Sequence, residues 1–299
     1  MRVLVTGVTG QVGGALLGAL NGKANVVAAP RAVLDLAQAE TIASALDWIA
    51  PDLIINPAAY TAVDRAEDER DLAYRINGEA PGHIASWAAS HGVPLIHLST
   101  DYVYDGAGER PWREDDATGP LSVYGASKLA GEDAVRAAGP PHLVIRTSWV
   151  YAAQGANFLR TIARLARERA ELRIVADQFG APTSAALIAD AVSRIVATNG
   201  AALAERFAAA GGLVHMTASG ETNWHGFATA IVDGLKARGV ALAATRITPI
   251  ATADYPTKAR RPANSRLDLT RLRHVFGVTT PPWDDALEPE LDLLAAELA

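Results

Sequence analysis

RVLVTGVTGQVGGALLGAL, residues 2–20, changes its period midway. Residues 2–6 form a short β-branched run, three glycines follow at Gly7, Gly10 and Gly13, and Val12 to Leu20 reads as a helix of small and aliphatic residues. A strand, a glycine turn and a helix opened by that turn are the setting a nucleotide-binding turn requires. Gly7 permits the tight turn, Gly10 lets backbone approach a pyrophosphate, and Gly13 lets the helix pack closely on the sheet. The helix N-terminus adds free N–H groups and a partial positive charge. A packing turn without a ligand is the alternative. The stretch is apolar enough to mimic a leader peptide, but a glycine or polar residue interrupts it every few positions, so strand, turn and helix is the better reading.

The same alternation runs onward. NVVAA (25–29) precedes a helix around Ala39 to Ala50, and PDLIINPAA (51–59) precedes helical sequence from Asp64. PLIHLST (94–100) and HLVIRTS (142–148) flank a helix around Gly125 to Ala138. Strand runs this apolar belong to a parallel sheet covered by helices on both faces, joined by right-handed crossovers. The expectation is therefore an α/β protein with a Rossmann-type doubly wound parallel sheet. Residues 1–150 would be the dinucleotide-binding domain and 151–299 a smaller, interleaved substrate-binding part, with stretches of 155–235 returning to the first. In that second half we expect helices at Asn157 to Arg169 and Ser184 to Thr198, a strand LVHMT (213–217) and a helix after Thr222. A last helical stretch starts at Leu267, with Asp268 as its cap and Gly277 as its stop. Pro249, Pro256 and Pro262 mark the segment from Ile247 to Leu267 as irregular.

With 299 residues, 49% of them hydrophobic, the chain can bury a substantial core. A formal charge of −6 without any Lys/Arg block argues against nucleic acid or an anionic membrane as partner. The absence of cysteine excludes disulfides, thiolate metal sites and cysteine nucleophiles, and fits a reducing compartment, so a cytoplasmic small-molecule role is expected. No run of about 18 uninterrupted apolar residues occurs, so no membrane-spanning helix is expected.

The chemistry concentrates in VYGASKLAGE (123–132), where Tyr124 and Lys128 lie four residues apart. Seven tyrosines and four lysines in the chain would give only about 0.1 such YxxxK spacings by chance, so the pair is informative. On a helix the two side chains share a face, and a neighbouring ammonium is expected to lower the pKa of the phenol and ease proton transfer to or from a substrate oxygen. Ser99 and Thr100 end the fourth strand run, and a Thr100 hydroxyl could polarise the same oxygen. At the end of the second strand run, where a carboxylate would bind a ribose 2′-hydroxyl, stand Pro30 and Arg31; a guanidinium there suits a 2′-phosphate, or is simply an exposed surface arginine. NADPH is thus expected over NADH, which stays open as the alternative. Asp35 and Leu36 read either as a helix cap or as an adenine contact. The small residues of NPAAYT (56–61) leave room for a cofactor's ribose.

Together GVTGQVG, INPAAYTAVDRAE, HLSTDYVYDG, VYGASKLAGE, RTSWVYAAQGANF, DQFGAPT and RPANSRLD resemble, in order and almost end to end, the extended short-chain dehydrogenases/reductases that act on nucleotide sugars, and among them the dTDP-4-dehydrorhamnose reductase family. The resemblance implies Tyr124 as proton donor, Lys128 as holder of the nicotinamide ribose and Thr100 as third member of the catalytic set. It implies that Gly10, Gln11 and Val12 contact the cofactor phosphates, Asp35 and Leu36 the adenine side, and Ala59, Tyr60 and Thr61 the ribose side. Thr100 and Asp101 would touch the dTDP-sugar, and Trp149 would pack on its sugar ring or else fill the core at a strand end. Asn157 and Arg266 would contact diphosphate or nucleoside, or are polar residues of helix ends. Some members form dimers bridged by magnesium; here the corresponding places hold Ala15 and Ala186, which offer no oxygen ligand, so magnesium is doubted and homodimerisation is kept without it. His225 and His274 are read as structural.

Overall fold

Within the computed structural model, which describes residues 1–298, the first half alternates strand and helix. In order come β1 (Arg2–Thr6), α1 (Gln11–Leu20), β2 (Asn25–Ala29), α2 (Ala39–Ile49), β3 (Leu53–Asn56), α3 (Val63–Ala66), α4 (Arg70–Tyr74), α5 (Ala80–His91), β4 (Leu95–Thr100), α6 (Val123–Ala138) and β5 (His142–Thr147). The helical sequence expected from Asp64 is thus broken into α3, α4 and α5, the last two joined by a widened π turn at Arg75–Glu79. The second half contributes β6 (Val150–Tyr151), α7 (Phe158–Glu168), β7 (Glu171–Val175), β8 (Phe179–Gly180), β9 (Thr183–Ser184), α8 (Ala185–Asn199), α9 (Leu203–Ala209), β10 (Leu213–His215), β11 (Thr222–Asn223), α10 (Trp224–Ala237), β12 (Arg246–Ile250), α11 (Thr270–Phe276) and α12 (Trp283–Leu298).

The main sheet is six-stranded and parallel in the order β10-β5-β4-β3-β1-β2. Period-two alternation distributes its side chains: Val3 and Val5 pack with Leu16, Leu20, Ile188 and Val192 on one face, while Leu4 packs with Ile42, Leu46 and Ile84 on the other. Both faces are therefore apolar and both are covered. β1 leads to β2 on one side and borders β3 on the other, so the order reverses beside β1, and a crevice opens at the carboxyl ends of β1, β3 and β4.

A third apolar cluster lies in the second half, where Tyr151, Leu159, Phe227, Ile231 and Leu291 pack together. There the parallel pair β7–β12 departs from expectation, because Ile247 to Leu267 reads as irregular on account of its prolines. Pro249 sits within β12, opposite Ile174. A two-stranded sheet has only edges, and an edge strand tolerates the missing N–H. Gly277 ends α11 in the left-handed conformation (φ 65°), as expected, whereas the chain then continues into a separate helix, α12. Asp268 holds the approach to α11 by accepting from the Thr270 N–H at 2.8 Å.

By length and composition Ala185–Ala209 passes as a membrane span, with mean hydropathy 1.2, but half of that window is buried inside the protein. Ile188, Val192, Ile195 and Val196 belong to the core beside α1.

Candidate active site

The glycine turn has the geometry of a cradle. Gly7 adopts φ +58°, and a Cβ there would stand 2.8 Å from the Ala58 Cα; a Cβ on Gly13 would stand 2.2 Å from the Gly7 carbonyl oxygen. Helix and turn are in backbone contact, and only hydrogen atoms fit between them. Gly10 starts α1 without a side-chain cap, and the first turn of the helix carries no acidic residue. The N–H groups of Gln11 and Val12 are thus presented bare at a positive helix end, which fits a cofactor's pyrophosphate.

Across the crevice α6 starts at a capped end, Ser122 Oγ accepting from the Gly125 N–H at 3.2 Å. A Cβ on Gly125 would lie 2.2 Å from the Tyr102 carbonyl oxygen, so this glycine lets α6 dock on the loop after β4. That contact sets Tyr124 against Thr100. The phenol is pushed up to about 12 by burial, which outweighs the favourable contact with Thr100, and the Asp101 carboxylate raises it further. The expected lowering by Lys128 is not observed: the ammonium side chain turns toward β4, with Nζ 2.6 Å from the Leu98 carbonyl oxygen and 3.3 Å from His97 Nε2. Burial lowers Lys128 to about 8, with Glu132 acting in the opposite direction. A phenol that keeps its proton at neutral pH is a donor. Ser99, next to Thr100, points to the other side of the strand and donates to Glu132 Oε1 at 2.5 Å, within a buried Glu132–Arg146 pair.

Three residues not singled out by sequence complete this end of the sheet. Thr6, Asn56 and His97 are buried and hydrogen-bonded in series across β1, β3 and β4. Asn77 in the π turn accepts from the Tyr60 N–H at 2.7 Å and donates to Ser127 Oγ at 3.0 Å, tying the loop after β3 to α6. A signal was available: Asn in LIIN and His in LIHLST are polar residues inside buried strands, and such residues require partners.

On the adenosine side, Arg31 is exposed (77% of its side chain) and pairs with Asp35 at 3.1 Å. Asp35 also accepts from the Ala37 N–H at 3.0 Å, which holds the turn ahead of α2, and Leu36 is buried in the core. Ala59 and Thr61 flank Tyr60 in the loop after β3, and the Tyr60 hydroxyl donates to Glu69. On the substrate side, Asp101 is buried and raised to about 6 by desolvation, while Thr100 Oγ1 donates to its Oδ1 at 3.1 Å and opposes the rise. Trp149, partly exposed, has a left-handed backbone (φ 50°) and stacks on Trp224 with ring centroids 3.7 Å apart. A positive φ is strained for a bulky residue, and the stacked second indole supports it here. Arg266 lies over the Phe179 ring and pairs with Glu221 at 2.6 Å. Asn157 caps α7, accepting from the Arg160 N–H at 3.1 Å, and its amide donates to Gln11 Oε1 at 2.9 Å. It therefore ties the glycine turn to the second half, and its place at a helix end accounts for its polarity.

Ala15 packs against the core beside α8 and Ala186 is exposed on it. Among the described residues no group of three or more His, Asp or Glu side chains could hold a metal ion. His225 Nε2–H donates to the Ile247 carbonyl oxygen at 3.2 Å, a contact inside the second half.

The family model described as RmlD substrate binding domain matches residues 1–295. A dTDP-4-dehydrorhamnose reductase of Burkholderia thailandensis is 50% identical over 287 residues, 95% of each chain. Among solved structures, a dTDP-4-dehydrorhamnose reductase of Clostridium acetobutylicum superposes with TM-score 0.89 at 34% identity, covering 98% of this chain and 99% of the other. One from Bacillus anthracis, in complex with NADP, gives TM-score 0.88 at 32% identity, covering 97% and 98%.

Proposed function

Since the chain belongs to the dTDP-4-dehydrorhamnose reductase family, we propose that it reduces the 4-keto group of dTDP-4-dehydro-L-rhamnose to give dTDP-L-rhamnose, with NADPH as cofactor. One observation carries the reading: α6 and β4 bring Tyr124, Thr100 and Lys128 together at the carboxyl end of the sheet, across the crevice from the bare N-terminus of α1. Gly10, Gln11 and Val12 hold the pyrophosphate, the loop Ala59 to Thr61 and Lys128 the nicotinamide ribose, and Arg31 and Asp35 the adenosine end. The nicotinamide supplies the hydride.

The remaining work falls to side chains. Thr100 hydrogen-bonds the keto oxygen and orients it. Tyr124, still protonated at neutral pH, gives that oxygen its proton as negative charge develops. Lys128 would hold the nicotinamide ribose, and in its ammonium form it would supply the proton that restores Tyr124 and regain one from solvent. Trp149 offers an indole face to the apolar side of the deoxyhexose, with Trp224 behind it. Asp101 accepts from a sugar hydroxyl, and Arg266 supplies donors to the diphosphate.

The assay is loss of NADPH absorbance on addition of dTDP-4-dehydro-L-rhamnose. Purified enzyme that binds NADPH yet shows no turnover refutes the substrate assignment. The NADPH preference rests on Arg31, so kcat/KM for NADPH over NADH should fall in Arg31→Ala; an unchanged ratio removes that part of the reading.

A further inference from the structure

Thr6, Asn56 and His97 take no part in the roles above, yet each is at most 1% exposed and their polar atoms form one chain ending on Lys128. Thr6 Oγ1 lies 2.6 Å from Asn56 Oδ1, Asn56 Nδ2 lies 3.1 Å from His97 Nδ1, and His97 Nε2 lies 3.3 Å from Lys128 Nζ. The first distance sets the direction of the rest. It is short for a nitrogen donor and normal for a hydroxyl on oxygen, so the amide oxygen of Asn56 faces Thr6 and its NH2 faces His97. His97 Nδ1 therefore accepts. Burial holds the imidazole well below its ordinary pKa, so it is neutral and, with Nδ1 accepting, carries its single hydrogen on Nε2. That hydrogen points at Lys128.

We propose that His97 is a positioning residue for Lys128: Thr6 and Asn56 lock its imidazole as the Nε2–H tautomer, which presents a donor to Nζ and favours the uncharged amine over the ammonium. An uncharged amine can accept from His97 while donating to the Leu98 carbonyl oxygen, and both contacts are then satisfied. An ammonium would satisfy only the second. The other charged group acting on Lys128 is Glu132 on its own helix, which is paired with Arg146 of β5; Tyr124 lies one turn earlier on that helix, beside Asp101 in the loop after β4. From β1, β3 and the π turn, the uncharged side chains of Thr6, Asn56 and Asn77 contribute hydrogen bonds to this corner. Lys128 is thereby set to release and regain a proton readily, which a proton relay requires. This consequence for turnover rests on the reductase reading; the tautomer does not.

Two measurements test it. Nitrogen-15 NMR of the histidine rings, with His97 assigned by its loss in His97→Gln, reads the tautomer without turnover. Neutral Nε2–H is expected from about pH 6 to 9, and an Nδ1–H tautomer or an imidazolium overturns the proposal. Asn56→Asp offers an acceptor to Nδ1 and should switch the ring to Nδ1–H, so that Nε2 accepts from Lys128. The alkaline limb of kcat/KM for NADPH-dependent reduction should then move up by about one pH unit. A switched tautomer with an unmoved limb refutes the role of His97, and a moved limb without a switch assigns the shift to the added charge and refutes it equally. Wild-type enzyme that shows the Nε2–H tautomer but no reduction refutes the reductase reading alone.

Discussion

Replacing Gly13 by alanine is expected to abolish tight cofactor binding while leaving the sheet folded. The added methyl would sit 2.2 Å from the Gly7 carbonyl oxygen, 2.6 Å from its carbon and 3.0 Å from the Thr6 carbonyl oxygen. All three are backbone atoms, so no rotamer relieves the clash, and α1 must move off the turn by about 1 Å to reach a tolerable contact. That shift displaces the bare N–H groups of Gln11 and Val12, which the present turn holds in place through a 2.9 Å bond from Gly10 N to Gly7 O. A hydrogen bond to an ionised group is worth about 1.5–3 kcal/mol, so Kd for NADPH should rise roughly 10- to 150-fold for each one lost. Overpacking should lower stability by about 1–3 kcal/mol. Gly18→Ala is the matched control: the same helix, exposed, with no atom within 4 Å of its added Cβ. It should gain about 0.5–1 kcal/mol from helix propensity and bind NADPH unchanged. Titration by cofactor fluorescence, with thermal unfolding alongside, measures both. A Gly13→Ala protein that binds NADPH within about threefold of wild type would refute the claim that this contact shapes the turn.

Tyr124→Phe should lower kcat by about 10²- to 10⁴-fold with NADPH affinity unchanged, and a loss under about tenfold in stopped-flow reduction would remove the phenol as proton donor. Glu132→Gln leaves Arg146, whose side chain is 3% exposed, as an unpaired buried cation. Urea unfolding should show a loss of about 3–5 kcal/mol, largely recovered when Arg146→Met is added; a loss under about 1 kcal/mol would mean that the pair is compensated elsewhere. Asp101 has its folded pKa raised from 3.8 to about 6, so the folded state binds more protons between those values, and stability falls as pH rises through that window. Asp101→Asn should therefore be more stable than wild type by on the order of 2–3 kcal/mol near pH 7.5 and no more stable below about pH 4. Equal stabilities near pH 7.5 would show that the carboxylate is not held against its desolvation.

Residues 2–20 carried the fold because their two periods and three glycines allow little but strand, turn and helix in backbone contact, and the close approach at Gly13 bears that out. YxxxK was readable for the same local reason: residues four apart on one helix share a face whatever surrounds them. The separate helix α12 and the pair β7–β12 were harder to read. Pro289 interrupts the pattern of the first, and β12 holds a proline that only an edge strand accepts.

The burial around the catalytic pair is a matter of packing between distant segments. An ammonium four residues from a phenol would lower its pKa if both faced an open cleft, but α6 lies close on β4, so Lys128 reaches the Leu98 carbonyl oxygen and His97 while burial raises Tyr124 to about 12. Local spacing places Tyr124 and Lys128 on one side of a helix and establishes that chemistry is available there. The direction of each proton depends on partners 30 to 31 residues away in sequence, because hydrogen bonds and desolvation follow distance in space and not position along the chain.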